Sequence, residues 1–313
     1  MVLTRRQEAE LVTAIQGRGE IPLKFAYLGE GAKNWDRIAK ERAAGEGVNS
    51  IQAKLLKKRV DDFLSTLGAK NGINIVDIGC GNGTPVVPIL EHLKTKNIKF
   101  NYVPLDISQE IIDLASETIL KNFPGTQCKP ILMDFESGQF SDLMYDLKKD
   151  GFVNLMFFLG NTLGNHSDMS RVLSNFRDSM TSKDYLILGL ELTNLSRIQW
   201  LFPQYENEGV ENLVTKIIKD LGVNSFKYDV SWNEKYRQIE MRAILNKEFK
   251  VEVAGEKFTL HKNENILLGR SVKFTEYTVT KLLSDVGFRT ELLTTAEDGS
   301  FLLSMIQPTR YSV

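Results

Sequence analysis

The residues best arranged for contact with a polar ligand are Asp77-Ile78-Gly79-Cys80-Gly81-Asn82-Gly83. Three alternating glycines behind an apolar run allow positive φ and let a ligand approach the backbone with no Cβ in the way. A helix starting there offers free N–H groups. A tight turn with no ligand is the bland alternative, but three glycines next to a helix cost stability for no structural return. The spacing is not the dinucleotide fingerprint, whose third glycine would fall on Thr84, and this disfavours a dehydrogenase. Two acids follow at the ends of later apolar runs, Asp106 in Val103-Pro104-Leu105-Asp106 and Asp134 in Leu132-Met133-Asp134-Phe135. A carboxylate in the first position can accept from both hydroxyls of a ribose. Either acid alone reads as a cap or turn residue. Together, behind this loop, they read as a cofactor-binding pair.

Other reactive groups are sparse. Cys80 and Cys128 are isolated, and His92, His166 and His261 form no CxxC or HExxH spacing, so no metal site is expected. Cysteine usage of this kind suits a reducing compartment. His166 is expected to be a solvent-facing loop residue, Cys80 a small residue of the turn, and Lys57-Lys58-Arg59 a solvated helix face.

The elements that must position these groups follow from hydrophobic period. Ile73–Ile78, Phe100–Leu105, Cys128–Met133, Val153–Leu159 and Tyr185–Leu190 read as short buried strands. Helical spacing recurs over Ile51–Leu67, Val86–Leu93, Gln109–Lys121, Ser167–Ser179 and Glu276–Leu283. This alternation predicts an α/β fold with a doubly wound parallel sheet. Thr290–Thr294 and Phe301–Ile306 close it with an antiparallel hairpin. Phe226–Ser231, Gln238–Leu245, Phe249–Val253, Lys257–Leu260 and Ile266–Lys273 break the rhythm as antiparallel strands, with a tight turn at Ala254-Gly255. The expected division is a core of 61–200 and 275–313, with 1–60 and 201–274 forming an inserted α+β substrate-binding subdomain or lid.

The 313 residues are 42% hydrophobic and 25% charged, enough for a sizeable core, with a net charge of −1. No basic excess points to nucleic acid. The N-terminal residues lack the apolar core of a signal peptide, and no apolar run is long enough to cross a bilayer. A cytoplasmic protein with no membrane or nucleic-acid partner is expected.

The Asp-x-Gly-x-Gly-x-Gly form, Asp77 to Gly83, resembles the first motif of class I S-adenosylmethionine (SAM) methyltransferases. The resemblance implies SAM as cofactor, S-adenosylhomocysteine (SAH) as its product, and Asp134 with the Phe135 backbone at the adenine. The segment after the fourth strand, Phe157 to Asn165, has neither the Asn/Asp-Pro-Pro-aromatic tetrad of nucleic-acid amino methyltransferases nor the Pro-Cys of cytosine-C5 enzymes. Within it, Phe158-Leu159-Gly160-Asn161-Thr162-Leu163-Gly164-Asn165 is similar to a signature of the histidine-specific methyltransferase family. Pro22 to Tyr27, Gly29 to Trp35, Ile239-Glu240-Met241-Arg242 and Ser271-Val272-Lys273-Phe274-Thr275 also have counterparts there, so the resemblance runs nearly end to end. The Gly-x-Gly-Ala-x-x-Trp segment looks closer to the fungal ergot-alkaloid branch, which acts on dimethylallyltryptophan.

That resemblance implies methyl transfer to the α-amine of an amino-acid-like small molecule, with Tyr27, Asn165 and Tyr205 on the head group. Phenolic O–H groups donate to a carboxylate, and an amide orients an amine or its water. Met241, Gly269 and Ser271 match substrate-side positions. Histidine-specific members carry a glutamate where this chain has Gly269; Ser271 is kept. A glycine cannot accept from an imidazole and is expected to leave room, which points to a bulkier aromatic, tryptophan-like side chain and to secondary metabolism. The lysine that members carry early in the helix after the loop is also missing from Thr84-Pro85-Val86-Val87. Histidine Nα-methylation and O-methylation of a small natural product stay open as alternatives.

Overall fold

A computed structural model of the chain describes residues 3–44, 48–68, 71–148, 151–193 and 195–309. Three helices, α1 (Arg5–Arg18), α2 (Glu30–Ala44) and α3 (Val48–Leu67), precede the first strand. Then β1 (Ile73–Ile78), α4 (Val87–Thr95), β2 (Phe100–Asp106), α5 (Gln109–Asn122), β3 (Gln127–Cys128), β4 (Ile131–Leu132), α6 (Ser141–Asp146), β5 (Val153–Phe158), α7 (Met169–Ser179) and β6 (Tyr185–Glu191) follow. The run α8 (Glu208–Val214), α9 (Lys216–Asp220), β7 (Phe226–Asn233), β8 (Gln238–Leu245), β9 (Phe249–Val253), β10 (Glu256–Leu260) and β11 (Asn265–Val272) interrupts the alternation. The chain closes with α10 (Glu276–Asp285), β12 (Phe288–Thr295) and β13 (Phe301–Pro308).

It packs as two compact units, Met1–Ile38 with Asn194–Lys273, and Ala39–Thr193 with Phe274–Val313. Residues 39–60, placed with the insertion on sequence, group with the larger unit. That unit holds a sheet of order β12-β13-β6-β5-β1-β2-β3, with β4 also on β2. All pairs are parallel except those of β13, which runs antiparallel to β6 and to β12. β1 is buried along its whole length, as a strand covered by helices on both faces must be. After β1 the chain builds outward through β2 on one side and later through β5 on the other. This reversal makes a switch point at the carboxyl ends of β1 and β5, where ligands gather in open α/β sheets.

Cys128–Met133 is not one strand. Two-residue pieces at Gln127–Cys128 and Ile131–Leu132 flank Lys129-Pro130, because a proline has no N–H for the ladder.

The smaller unit contains the antiparallel sheet β11-β8-β7 and the hairpin β9-β10. Ala254 and Gly255, both at positive φ (55° and 82°), turn that hairpin, the combination a two-residue loop of the primed type requires. The backbone after α1 extends the sheet, with Ile21 N–H donating to Leu267 O (2.8 Å) and Leu267 N–H to Gly19 O (2.9 Å). Leu11, Ile15, Phe25, Ile217, Ile239, Ala243 and Ile266 share one core there. Among the described residues no helix is long and apolar enough to cross a membrane.

Candidate active site

In the larger unit β1 ends in the glycine turn. Gly79, Gly81 and Gly83 stand at φ 62°, 54° and 76°, all left-handed, where a side chain costs roughly 1–2 kcal/mol. A Cβ on Gly83 would lie 3.0 Å from the Ala115 carbonyl oxygen of α5, so this glycine lets turn and helix close up. A Cβ on Gly79 would face Thr162, Phe135 and Phe158 at 3.5–3.9 Å. Asn82 Oδ1 accepts from Thr84 N–H (3.2 Å) and Thr84 Oγ1 (2.7 Å), which fixes the exit into α4. Cys80 is buried, and burial together with the charges of Asp106 and Asp77 pushes its thiol well up.

Two buried carboxyls flank the turn. Asp77 accepts from Tyr102 Oη–H (2.8 Å). Burial, and secondarily the charge of Asp106, pushes it up to about 8 against the pull of that hydrogen bond. Asp106 ends β2 and accepts from Ser108 N–H (3.1 Å). Burial pushes it up to about 7. Half-buried Asp134 caps its own turn by accepting from Glu136 N–H (3.0 Å). Phe135 packs edge-on to Phe158, with ring centroids 5.4 Å apart.

After β5, Asn161 takes a left-handed conformation (φ 61°) and its Oδ1 accepts from Glu191 N–H of β6 (3.0 Å). From α3, the fully buried Gln52 accepts from Gly160 N–H (2.8 Å). These two contacts, which sequence reasoning missed, brace the segment that ends at Asn165. The Asn165 side chain is half-buried and makes no hydrogen bond among the described residues, so its amide is available to a ligand. His166 is not solvent-facing. Its side chain is 9% exposed, with Nδ1 2.6 Å from Glu136 Oε1. Its ring stacks on Phe158 (6.1 Å, 25°) and meets Phe135 edge-on. A carboxylate and two aromatic rings draw it inward.

In the smaller unit Tyr205, Ser271 and Lys273 form a buried triangle. Tyr205 Oη–H donates to Ser271 Oγ (3.0 Å), and Lys273 Nζ donates to Tyr205 Oη (2.8 Å) and Ser271 Oγ (3.1 Å). Lys273 was not singled out from sequence. Gly269 pairs with Met241 across β11 and β8. It does not leave open room, because a Cβ there would lie 2.8 Å from Met241 Cε and 3.4 Å from Leu23 Cδ1. The neighbours of such a Cβ are the apolar ends of Met241 and Leu23. Tyr27 is half-buried at the end of a 3-10 turn, Leu23–Tyr27, edge-on to Trp35 at 5.6 Å. Thus Tyr205 and Ser271 are in direct contact, while Asn165 belongs to the larger unit with the glycine turn and the three aspartates. Among the described residues no group of three or more His, Cys, Asp or Glu is placed to hold a metal.

A family model described as histidine-specific, SAM-dependent methyltransferase matches residues 7–308. The histidine N-alpha-methyltransferase of Mycolicibacterium smegmatis is 24% identical over 297 residues, covering 91% of this chain and 89% of that protein. The N-methyltransferase imqF of Aspergillus flavus is 20% identical over 268 residues, covering 80% and 71%. Among solved structures, magnesium protoporphyrin IX methyltransferase from Synechocystis PCC 6803 with bound SAH aligns with a TM-score of 0.48 at 13% identity, covering 91% of this chain and 98% of that one.

Proposed function

The chain belongs to the histidine-specific, SAM-dependent methyltransferase family, and on that premise we propose that it methylates the α-amine of an amino acid whose side chain is aromatic and tryptophan-like rather than an imidazole. What supports the side-chain reading is that Gly269 offers an imidazole N–H no side-chain acceptor and has the apolar ends of Met241 and Leu23 as its nearest neighbours. A site with no acceptor for an imidazole N–H gives up the discrimination that such a bond supplies.

The larger unit fits the cofactor. Its glycine turn offers backbone that side chains would obstruct, and the carboxyl oxygens of Asp106 and Asp134 are acceptors matched to donors, the ribose hydroxyls and the adenine amino group. When bound, SAM supplies an electrophilic methyl group on a sulfonium. The protein's part is to hold the neutral amine in line with that methyl and to keep water away. Asn165 orients the amine, while Tyr27 donates to the carboxylate and Tyr205 does so by turning the hydrogen that it otherwise gives Ser271. Replacing Asn165 with alanine is expected to lower kcat about 100-fold, the cost of losing near-attack geometry, with the SAM dissociation constant within twofold of wild type. Equal losses in both would remove Asn165 from this role.

Because burial pushes Asp106 up to about 7, it is largely protonated at pH 6 and offers the ribose hydroxyls a weaker, uncharged acceptor. Its pKa is raised by folding, so binding that needs the ionised form strengthens as pH climbs through 7. Below that point SAM affinity is expected to fall about tenfold per pH unit. Calorimetric titrations between pH 5.5 and 8.5 test this, and a flat profile refutes it.

The substrate reading is tested by incubating the protein with SAM and histidine, tryptophan and prenylated tryptophan, then reading mass shifts of one, two or three methyls. Methylated tryptophan-type product supports it; strong trimethylation of histidine overturns it.

A further inference from the structure

In the larger unit the segments that follow β4 and β5 meet at His166. Its ring stacks on Phe158 and lies edge-on to Phe135. Both phenylalanines come to 3.9 Å of the position a Cβ on Gly79 would take, so the histidine backs the wall beside the glycine turn. One hydrogen lies between Nδ1 and Glu136 Oε1, 2.6 Å away. Nε2, on the far side of the ring, is buried with no partner among the described residues. A buried polar atom without a partner weakens a fold. A phenylalanine would fill the same stack without that cost, so packing alone does not account for a histidine here.

The carboxylate end of the pair leads to the cofactor side. Glu136 N–H donates to the Asp134 carboxylate (3.0 Å) and Ser137 N–H to the Asp134 carbonyl (3.0 Å), which closes a tight turn. Met133 N–H donates to the Asp106 carbonyl (2.8 Å) and sets that turn beside the end of β2. From α7, Asn175 Nδ2 donates to the carbonyls of Phe135 and Glu136 (3.0 and 3.1 Å). The backbone of the turn is thus held by one helix, and the Glu136 side chain is held by His166. His166 N–H itself donates to Leu163 O (3.2 Å), within the 3-10 turn that ends at Asn165.

We infer that His166 is a positioning residue, which acts through Glu136 to hold the Asp134 carboxylate in place for the adenine amino group of the cofactor. This rests on the reading that Asp134 accepts from that group, and it adds the residue that keeps the acceptor still. Without the imidazole the Glu136 side chain is released, and with it the N–H that orients Asp134.

The test compares, by calorimetric titration, SAH with S-inosylhomocysteine, which has a carbonyl oxygen where adenine has its amino group. The wild-type protein is expected to bind SAH about 30-fold more tightly, the margin of one hydrogen bond to a charged group. In His166→Phe, SAH affinity is expected to fall about tenfold, most of that margin, while affinity for the analogue stays within about twofold. The melting temperature of the free protein should not drop, because the ring stack is kept and the unpartnered nitrogen is gone. A role in packing alone would lower the melting temperature or weaken both ligands alike. Glu136→Gln keeps an oxygen for the Nδ1 hydrogen and should lose no more than about threefold of the preference. Glu136→Ala should match His166→Phe, and the double variant should lose no more than either single one; the Glu136 variants provide the test if His166→Phe does not fold. If the wild-type protein binds the two ligands equally, the reading of Asp134 fails and takes this inference with it. If it prefers SAH, and the preference is unmoved in the folded variants, the inference about His166 alone is overturned.

Discussion

Replacing Asp106 with alanine is expected to weaken SAM binding about 1,000-fold and to leave the fold standing. Hydrogen bonds to a charged group contribute about 1.5–3 kcal/mol each. Two ribose hydroxyls therefore account for about 3–6 kcal/mol, or roughly two to four decades in the dissociation constant. The same carboxylate does little for the free protein. It is 7% exposed and accepts from Ser108 N–H at the start of α5, a bond whose loss costs about 1 kcal/mol. Against this, folding raises its pKa to about 7. Between the ordinary carboxylate range and that value the unfolded chain binds fewer protons than the folded one, so ionised Asp106 lowers stability as pH rises. Alanine removes that penalty and the repulsion with Asp77. The melting temperature at pH 8 should thus stay within a few degrees while SAM and SAH titrations lose nearly all their heat. Affinity within threefold of wild type would mean that the ribose lies elsewhere.

The parts of this site legible in the sequence are those where a residue's own covalent nature dictates its place. Gly79, Gly81 and Gly83 announced positive φ and all three adopt it. Asp106 is placed because the apolar run of β2 has a visible end, which it occupies; Asp134 instead lies two residues beyond β4, past the break at Lys129-Pro130. Gln238–Leu245 and Phe249–Val253 were read to the residue because alternation and turn residues agreed. Groups whose role depends on a distant partner were missed. Nothing near Gln52 in sequence indicates that its oxygen meets Gly160 N–H. His166 looked exposed because Glu136, which holds its Nδ1, is 30 residues away. Asn161 carried a usable signal, since asparagine after glycine favours the left-handed region. Lys273 follows β11 directly, and its Nζ meets Ser271 Oγ. The most consequential error concerned Gly269. A glycine removes a side chain but does not create a void when a flexible neighbour can fill the space, and Met241 does so.

That substitution of methionine for open space leads to the largest expected change in specificity. Gly269→Glu alone must displace the Met241 methyl, which would lie 2.8 Å from the new Cβ. Pairing it with Met241→Val shortens the obstructing side chain and keeps a residue suited to β8. Met241 is 3% exposed, so the shortening alone costs about 1–2 kcal/mol of packing, part of which the glutamate stem restores. The double variant places a carboxylate two residues from Ser271 on one strand face, an acceptor for one imidazole nitrogen with a hydroxyl for the other. A site that hydrogen-bonds a substrate N–H rejects an analogue lacking it by about four decades, because its own polar groups are then left unpaired. We expect kcat/KM for histidine to rise about 100-fold and that for a tryptophan-type substrate to fall at least as far, moving the ratio by about 10,000. Gly269→Gln with Met241→Val, which fills the same volume without the charge, should recover no more than a tenth of the gain. Competition assays with both amino acids in one vessel, read by mass, measure the ratio directly. A wild-type enzyme that already prefers histidine, or a ratio that stays put in the folded double variant, would show that side-chain selection is made at other residues than Gly269 and Met241.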